Sequence, residues 1–168
     1  DSPMAIEATQ IYRRHGELCD DDLTREIKEH PLEDDLNTLQ ATVTAEESKA
    51  LNHVHGPCLI MAGAGMCNAG RILHHLRQNL WRMETHVIFV GYQGDGTLGR
   101  RLVDGAQQVS IFGERIAVRA TVHTMGGFSA HAGQDDLLEW FSAVAPCRPR
   151  LIVTHGEAGN QRALAEKI

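Results

Sequence analysis

Two histidines carry the chemistry that this sequence is equipped to do. His131 lies in Gly126-Gly127-Phe128-Ser129-Ala130-His131, and His155 in Thr154-His155-Gly156-Glu157. Each sits where an apolar, strand-like run gives way to a small-residue turn before a helix, so both rings can project from one rim of a sheet, where α/β proteins place their ligands. An imidazole there can ligate a metal through a ring lone pair or pass a proton near neutral pH. Spacing alone is weak support for a shared metal, since histidines 24 residues apart are commonly unrelated. Their shared context at strand-to-helix junctions is what strengthens the pairing. A Ser-His hydrolase with Ser129 as nucleophile is the other chemical reading. It is disfavoured because Ser129 has no Gly-x-Ser-x-Gly elbow, and an extended Ser-Ala-His segment gives no reason to expect contact between the two side chains.

A second group of residues has the chemistry of anion binding. Cys58-Leu59-Ile60-Met61-Ala62 reads as a strand emptying into Gly63-Ala64-Gly65-Met66-Cys67-Asn68-Ala69-Gly70-Arg71 and a helix to about Leu80. Small side chains at Gly63, Gly65 and Gly70 let a phosphate approach backbone N–H groups and the positive end of the helix, and Arg71 adds a bidentate donor. Tight βα turns also need glycine, so the steric reading stands beside the anionic one. The loop is not a Walker loop, lacking Gly-Lys-Ser/Thr. A second strand, His86-Val87-Ile88-Phe89-Val90, empties into another glycine-rich outlet. There Tyr92 could stack a base, Arg100 could pair with phosphate, and Thr97 could cap the next helix or touch phosphate.

The elements that must position these groups read as α/β. Pro3 opens a helix ending near Gly16, an acidic helix runs from about Asp20 to His30 and stops at Pro31, and Leu39–Val43 is a strand candidate. Thr44-Ala45-Glu46-Glu47 is a capping box starting a helix through Leu51. The 58–62 and 86–90 runs are expected as neighbouring parallel strands with their loops on one edge. Gln108–Phe112 and Ile116–His123, joined through Gly113-Glu114-Arg115, read as a β-hairpin; the switch from parallel to antiparallel pairing there is the candidate domain boundary. A helix carrying Leu137, Leu138, Trp140 and Phe141, a strand at Leu151–Thr154 and a helix from about Glu157 complete the chain. His74 and His75 are adjacent on a helix and point about 100° apart, so they are no same-face ligand pair.

Composition sets the bounds. The 168 residues are 42% hydrophobic, enough for one ordinary core, and no apolar run approaches the roughly 20 residues of a membrane-spanning helix. The net charge of −6 speaks against a nucleic-acid partner until its distribution is read. Glu17 to Asp35 holds nine of the acidic residues, and the remainder of the chain carries 14 basic and 13 acidic side chains, which leaves room for an arginine-lined groove. Cys19, Cys58, Cys67 and Cys147 show no Cys-x-x-Cys spacing, as expected of reduced thiols in a cytoplasmic protein. Asp1-Ser2-Pro3-Met4 is neither a signal peptide nor an initiator methionine and reads as the middle of a larger protein.

Six ordered motifs carry a family resemblance: Asp1-Ser2-Pro3-Met4-Ala5, Glu47-Ser48-Lys49, Gly65-Met66 with Gly70-Arg71, Gly91-Tyr92-Gln93 with Gly96 to Arg100, Phe128-Ser129-Ala130-His131, and His155-Gly156-Glu157. Together they resemble the β-CASP branch of the metallo-β-lactamase superfamily, RNA-processing nucleases of the RNase J and pre-mRNA 3′-end endonuclease kind. The resemblance implies a mostly parallel β-CASP sheet flanked by helices over residues 1–122. It further implies a returning segment of a lactamase αββα sandwich over 123–168. It implies a fragment of a zinc-dependent ribonuclease or phosphodiesterase in which two zinc ions hold an attacking hydroxide. His155 would be a zinc ligand and catalytic residue, and His131 a catalytic proton or hydrogen-bond donor. Gly63, Gly65, Met66, Gly70, Arg71, Tyr92, Thr97, Arg100 and Ser129 would bind substrate.

The implied partners are single-stranded RNA and the upstream lactamase-domain half of the same protein, with no membrane and with a homodimer left open. The family's His-x-His-x-Asp-His ligand motif does not occur in these 168 residues, so the chain supplies at most one zinc ligand and is expected to be inactive by itself. Gly133 stands where the family carries aspartate, which removes a helix cap. The rival reading is a non-catalytic RNA- or nucleotide-binding module, or a scaffold subunit of an RNA-processing complex.

Overall fold

The computed structural model describes residues 1–29, 38–129 and 131–168 and divides the chain into two compact units. The first comprises Asp1–Ala64 and Ala69–Gln78, the second Gly65–Asn68 and Asn79–Ile168.

In the first unit α1 spans Pro3–Arg14, with proline at its first position as expected, although the Ser2 hydroxyl makes no cap bond. The acidic helix α2 spans Asp21–Glu29, its start held by Asp20 Oδ1 accepting from Leu23 N at 2.7 Å. The Pro31 stop lies outside the described residues. Helix α3, Ala45–Ala50, begins with the anticipated capping box: Thr44 Oγ1 accepts from Glu47 N at 3.2 Å, and Glu47 Oε2 accepts from Thr44 N at 2.9 Å. Helix α4 spans Ile72–Asn79.

What gathers this unit is the side chain of Asp1, which is entirely buried. Its Oδ1 accepts from Arg71 Nη1 at 2.6 Å and Thr42 Oγ1 at 2.8 Å; its Oδ2 accepts from Ser48 Oγ at 2.6 Å and lies 2.8 Å from His75 Nε2. A carboxylate removed from water needs such partners, since desolvation would otherwise disfavour its charge. Of the two adjacent helical histidines, His75 is thus a buried structural group while His74 is exposed.

The second unit holds both sheets found among the described residues. Strand β1, His86–Phe89, buries Phe89; helix α5 spans Leu98–Val103; β2, Gln108–Ile111, alternates so that Val109 and Ile111 point inward. Strand β3, Glu114–Ala117, pairs antiparallel with β2, in register Gln108↔Ala117. Strand β4, Thr121–Thr124, pairs parallel with β1, in register His86↔Thr121. Helices α6, Gln134–Val144, and α7, Ala158–Ala165, follow. Cys67, Leu80, Phe89, Leu102, Val109, Ile111 and Ala120 are the buried apolar residues among those described in this unit. On the outer face of the parallel pair the rings of His86 and His123 stack, Nδ1 to Nε2 2.9 Å.

The mixed α/β class with a small parallel sheet is as expected, but several details differ. The hairpin turn is Phe112-Gly113, both at positive φ (52° and 81°), the signature of a tight two-residue connection that matches strand twist. Glu114 and Arg115 therefore belong to the strand and not to the turn. The returning arm also ends at Ala117. Arg119 N and Ala120 N both donate to Leu80 O, which diverts the chain so that 121–124 joins β1 and not β2. Leu39–Val43, Cys58–Ala62 and Leu151–Thr154 run without strand pairing among the described residues. An extended segment becomes a strand only when a neighbour takes up its backbone groups.

No cysteine is disulfide-bonded; Cys67 is buried, while Cys58 and Cys147 are exposed. Burial pushes the Cys67 thiol up to about 11, so it stays protonated at neutral pH and is a poor nucleophile. Titration of the native protein with an aromatic disulfide reagent should modify Cys58 and Cys147 promptly and Cys67 only on unfolding. Rapid native labelling of Cys67 would contradict its placement.

Candidate active site

The expected site residues divide between the two units. Gly63, Gly70 and Arg71 lie in the first; Gly65, Met66, Tyr92, Thr97, Arg100, Ser129, His131 and His155 lie in the second.

In the first unit the anion-binding expectation gives way to internal bonding. Ile72 N, at the mouth of α4, donates to Gly63 O at 3.2 Å. Arg71 is drawn inward, donating to Asp1 Oδ1, to Thr42 O at 3.1 Å and to Val43 O at 2.6 Å. The guanidinium expected to meet phosphate serves instead to tie the segment at 42–43 to the start of α4. Gly70 has φ +80°, and a Cβ there would stand 2.7 Å from Gly63 O, so close backbone packing explains this glycine.

In the second unit the loop from Gly91 to Arg100 is pinned from within. Gln93 is buried, and its Nε2 donates to Gly65 O at 3.0 Å and Gly91 O at 3.1 Å. Met66 O accepts from Gly99 N at 3.1 Å, which fastens the Gly65-Met66 backbone to α5. Of the two roles left open for Thr97, the geometry supplies the cap: its buried Oγ1 accepts from Arg100 N at 3.1 Å and donates to Gly94 O at 2.7 Å. Tyr92 and Arg100 are thereby presented on the wall of a cleft of about 560 Å³, which Ser129 and Met125 also line.

Glu157, on the turn that bears His155, reaches both. Tyr92 Oη and Arg100 Nη1, the latter at 3.3 Å, converge on Glu157 Oε1, while Arg100 Nε is shared by the Asp104 oxygens at 2.9 and 3.0 Å. The Tyr92 hydrogen bond, followed by the charge of Arg100, holds the Glu157 carboxyl below its ordinary value. The same bond pushes the Tyr92 phenol upward, so it remains a hydroxyl donor. This clasp was not read from the sequence; only the Glu157 of the His155-Gly156-Glu157 motif pointed towards it.

His131 and His155 are both exposed. Contrary to expectation, Ser129 does touch His131, its Oγ 3.1 Å from Nδ1. When the hydroxyl donates to Nδ1, Nε2 carries the ring proton and faces outward as a hydrogen-bond donor. His155 lines a second cavity, of about 610 Å³, together with Ala132, the residue after His131. Gly133 caps α6 by its backbone alone, Gly133 N donating to Asp136 Oδ2 at 2.7 Å; without a side chain it leaves the other half of the capping box empty.

A zinc site takes about four ligands, three or more from protein. Among the described residues no three His, Cys, Asp or Glu side chains converge into such a set. His155 can be one donor to it and no more.

Residues 1–102 match the Beta-Casp domain, and residues 115–168 match the Zn-dependent metallo-hydrolase RNA specificity domain. Ribonuclease TTHA0252 of Thermus thermophilus is 39% identical over all of this chain, which spans 38% of that protein. The transcription termination factors FttA of Cenarchaeum symbiosum and Pyrococcus abyssi are 31% and 30% identical over 96% and 98% of the chain, which spans 26% of each. By these matches the chain belongs to the β-CASP branch of the metallo-β-lactamase superfamily.

Proposed function

We propose that this chain is the RNA-gripping and histidine-bearing part of a zinc-dependent ribonuclease that hydrolyses phosphodiester bonds. One observation carries the reading: Tyr92, Arg100 and Ser129 line a single cleft, and the His155 turn is tied to two of them through Glu157. An exposed tyrosine ring offers a stacking surface for an unpaired base, and an arginine beside it a contact for phosphate. His131, with Nδ1 occupied by Ser129, would hold a proton on Nε2 for the departing or phosphoryl oxygen. His155 would donate its ring lone pair to a metal whose other ligands come from the rest of the polypeptide. Two zinc ions, a lactamase sandwich completed from 123–168, a division near Val122 and a cytoplasmic setting belong to the same reading. Arg71 and Gly70 are left out of the RNA contact, because their groups are used internally.

The test is cleavage of a single-stranded RNA by the full-length protein with zinc. His155→Ala should lower the rate by about 100-fold or more, and the 168-residue chain alone should not cleave. Cleavage that survives His155→Ala, or cleavage by the isolated chain, overturns the assignment; a full-length protein that binds RNA without cutting it supports the scaffold reading.

A further inference from the structure

His155 holds a backbone conformation that its side chain disfavours. Its φ is +63°, in the left-handed region, and Gly156 follows at +81°. A non-glycine residue persists there only when its surroundings over-determine it, and such residues gather at functional sites. Two tethers of different chemistry meet at this turn. From α7, Gln161 Nε2 donates to His155 O at 2.8 Å and to Gly156 O at 3.3 Å. From the loop at 91–100, Tyr92 Oη and Arg100 Nη1 hold the Glu157 carboxylate. One tether grips the carbonyls of the two left-handed residues, and the other anchors the residue immediately after them.

We propose that Gln161 and Glu157 are positioning residues that together keep His155 in its left-handed conformation and so aim its ring. Neither touches the reacting atoms; both act through the backbone of the turn. Their role as positioning residues for catalysis rests on the ribonuclease reading, whereas their control of the ring's orientation does not.

In the full-length protein, Gln161→Met removes the amide donor at nearly constant volume, and Glu157→Ala removes the anchor. Each should lower kcat for RNA by about 100-fold, the scale of a small misplacement of a catalytic group, while leaving KM within about twofold. Glu157→Gln, which retains an oxygen for Tyr92, should restore most of that rate. If Glu157→Ala unfolds the protein, Tyr92→Phe, which deletes only the hydroxyl, replaces it. In the metal-free protein with isotopically labelled histidine, the His155 ring resonances should shift or broaden in Gln161→Met and Glu157→Ala and return in Glu157→Gln. Unchanged ring resonances in both variants, or a loss confined to KM, overturn the proposal. Should the wild-type protein fail to cleave RNA, the ribonuclease reading falls and the ring resonances alone decide whether these two residues orient His155.

Discussion

Asp1→Ala should destabilise the first unit by about 3–5 kcal/mol, the cost of removing one partner from a buried ion pair. The side chain is wholly buried and receives four partners, two of them the Arg71 guanidinium and the His75 imidazole, whose own side chains are 25% and 7% exposed. Deleting the carboxylate leaves the guanidinium on the Thr42 and Val43 carbonyls without its counter-charge, and the Thr42 and Ser48 hydroxyls without their acceptor. Asp1→Asn retains an acceptor oxygen but not the charge, and should fall between the wild type and Asp1→Ala. Thermal unfolding is the measurement: a domain of this size loses about 4–8 °C per kcal/mol, so the midpoint should drop by more than 10 °C. A drop of only a degree or two would show that the carboxylate is not the hub.

The same cluster predicts a pH dependence with a definite sign. Burial first, then the charge of Arg71, hold the His75 pKa below its ordinary value of about 6.5. The unfolded chain therefore takes up a proton that the folded one refuses. Stability should be complete above about pH 6.5 and decline as pH falls below it.

Gly70→Ala should be the other severe substitution, at about 2–4 kcal/mol. Two independent costs add there. The residue sits at φ +80°, where any L side chain is strained, and the new Cβ would lie 2.7 Å from Gly63 O and 3.1 Å from Ala64 N. Both neighbours are backbone atoms, so no side-chain rotation relieves the clash. Gly91→Ala is the control: nothing lies within 4 Å of its would-be Cβ, and the change should stay within about 1 kcal/mol. The comparison by chemical or thermal unfolding also bears on function. If Gly70 serves packing, Gly70→Ala should cost stability before it costs RNA affinity; equal stability with weakened RNA binding would return this glycine to the phosphate-binding role.

Much of the local architecture was legible because its causes lie within a few residues. Thr44 with Glu47 announced a capping box, Pro3 the first turn of α1, and Phe128-Ser129-Ala130-His131 the entry to a helix with an incomplete cap at Gly133. The misreadings share another cause. Whether Cys58–Ala62 or Leu151–Thr154 is a strand depends on which segment comes alongside, and so does the partnership of 121–124 with β1 rather than β2. The carboxylate that takes up the Arg71 guanidinium is 70 positions away along the chain, and the Tyr92–Glu157 contact spans 65.

From residue types and their order alone came the α/β class, the histidines at 131 and 155, the ordered motifs and the family to which the chain belongs, since helix caps, apolar runs and motif spacing act over a few bonds. Tertiary structure alone decided where each polar group finds its partner: Arg71 on Asp1, Ser129 on His131, Tyr92 and Arg100 on Glu157. A hydrogen bond is made by distance in space, and the chain carries no local mark of which remote group will come within 3 Å.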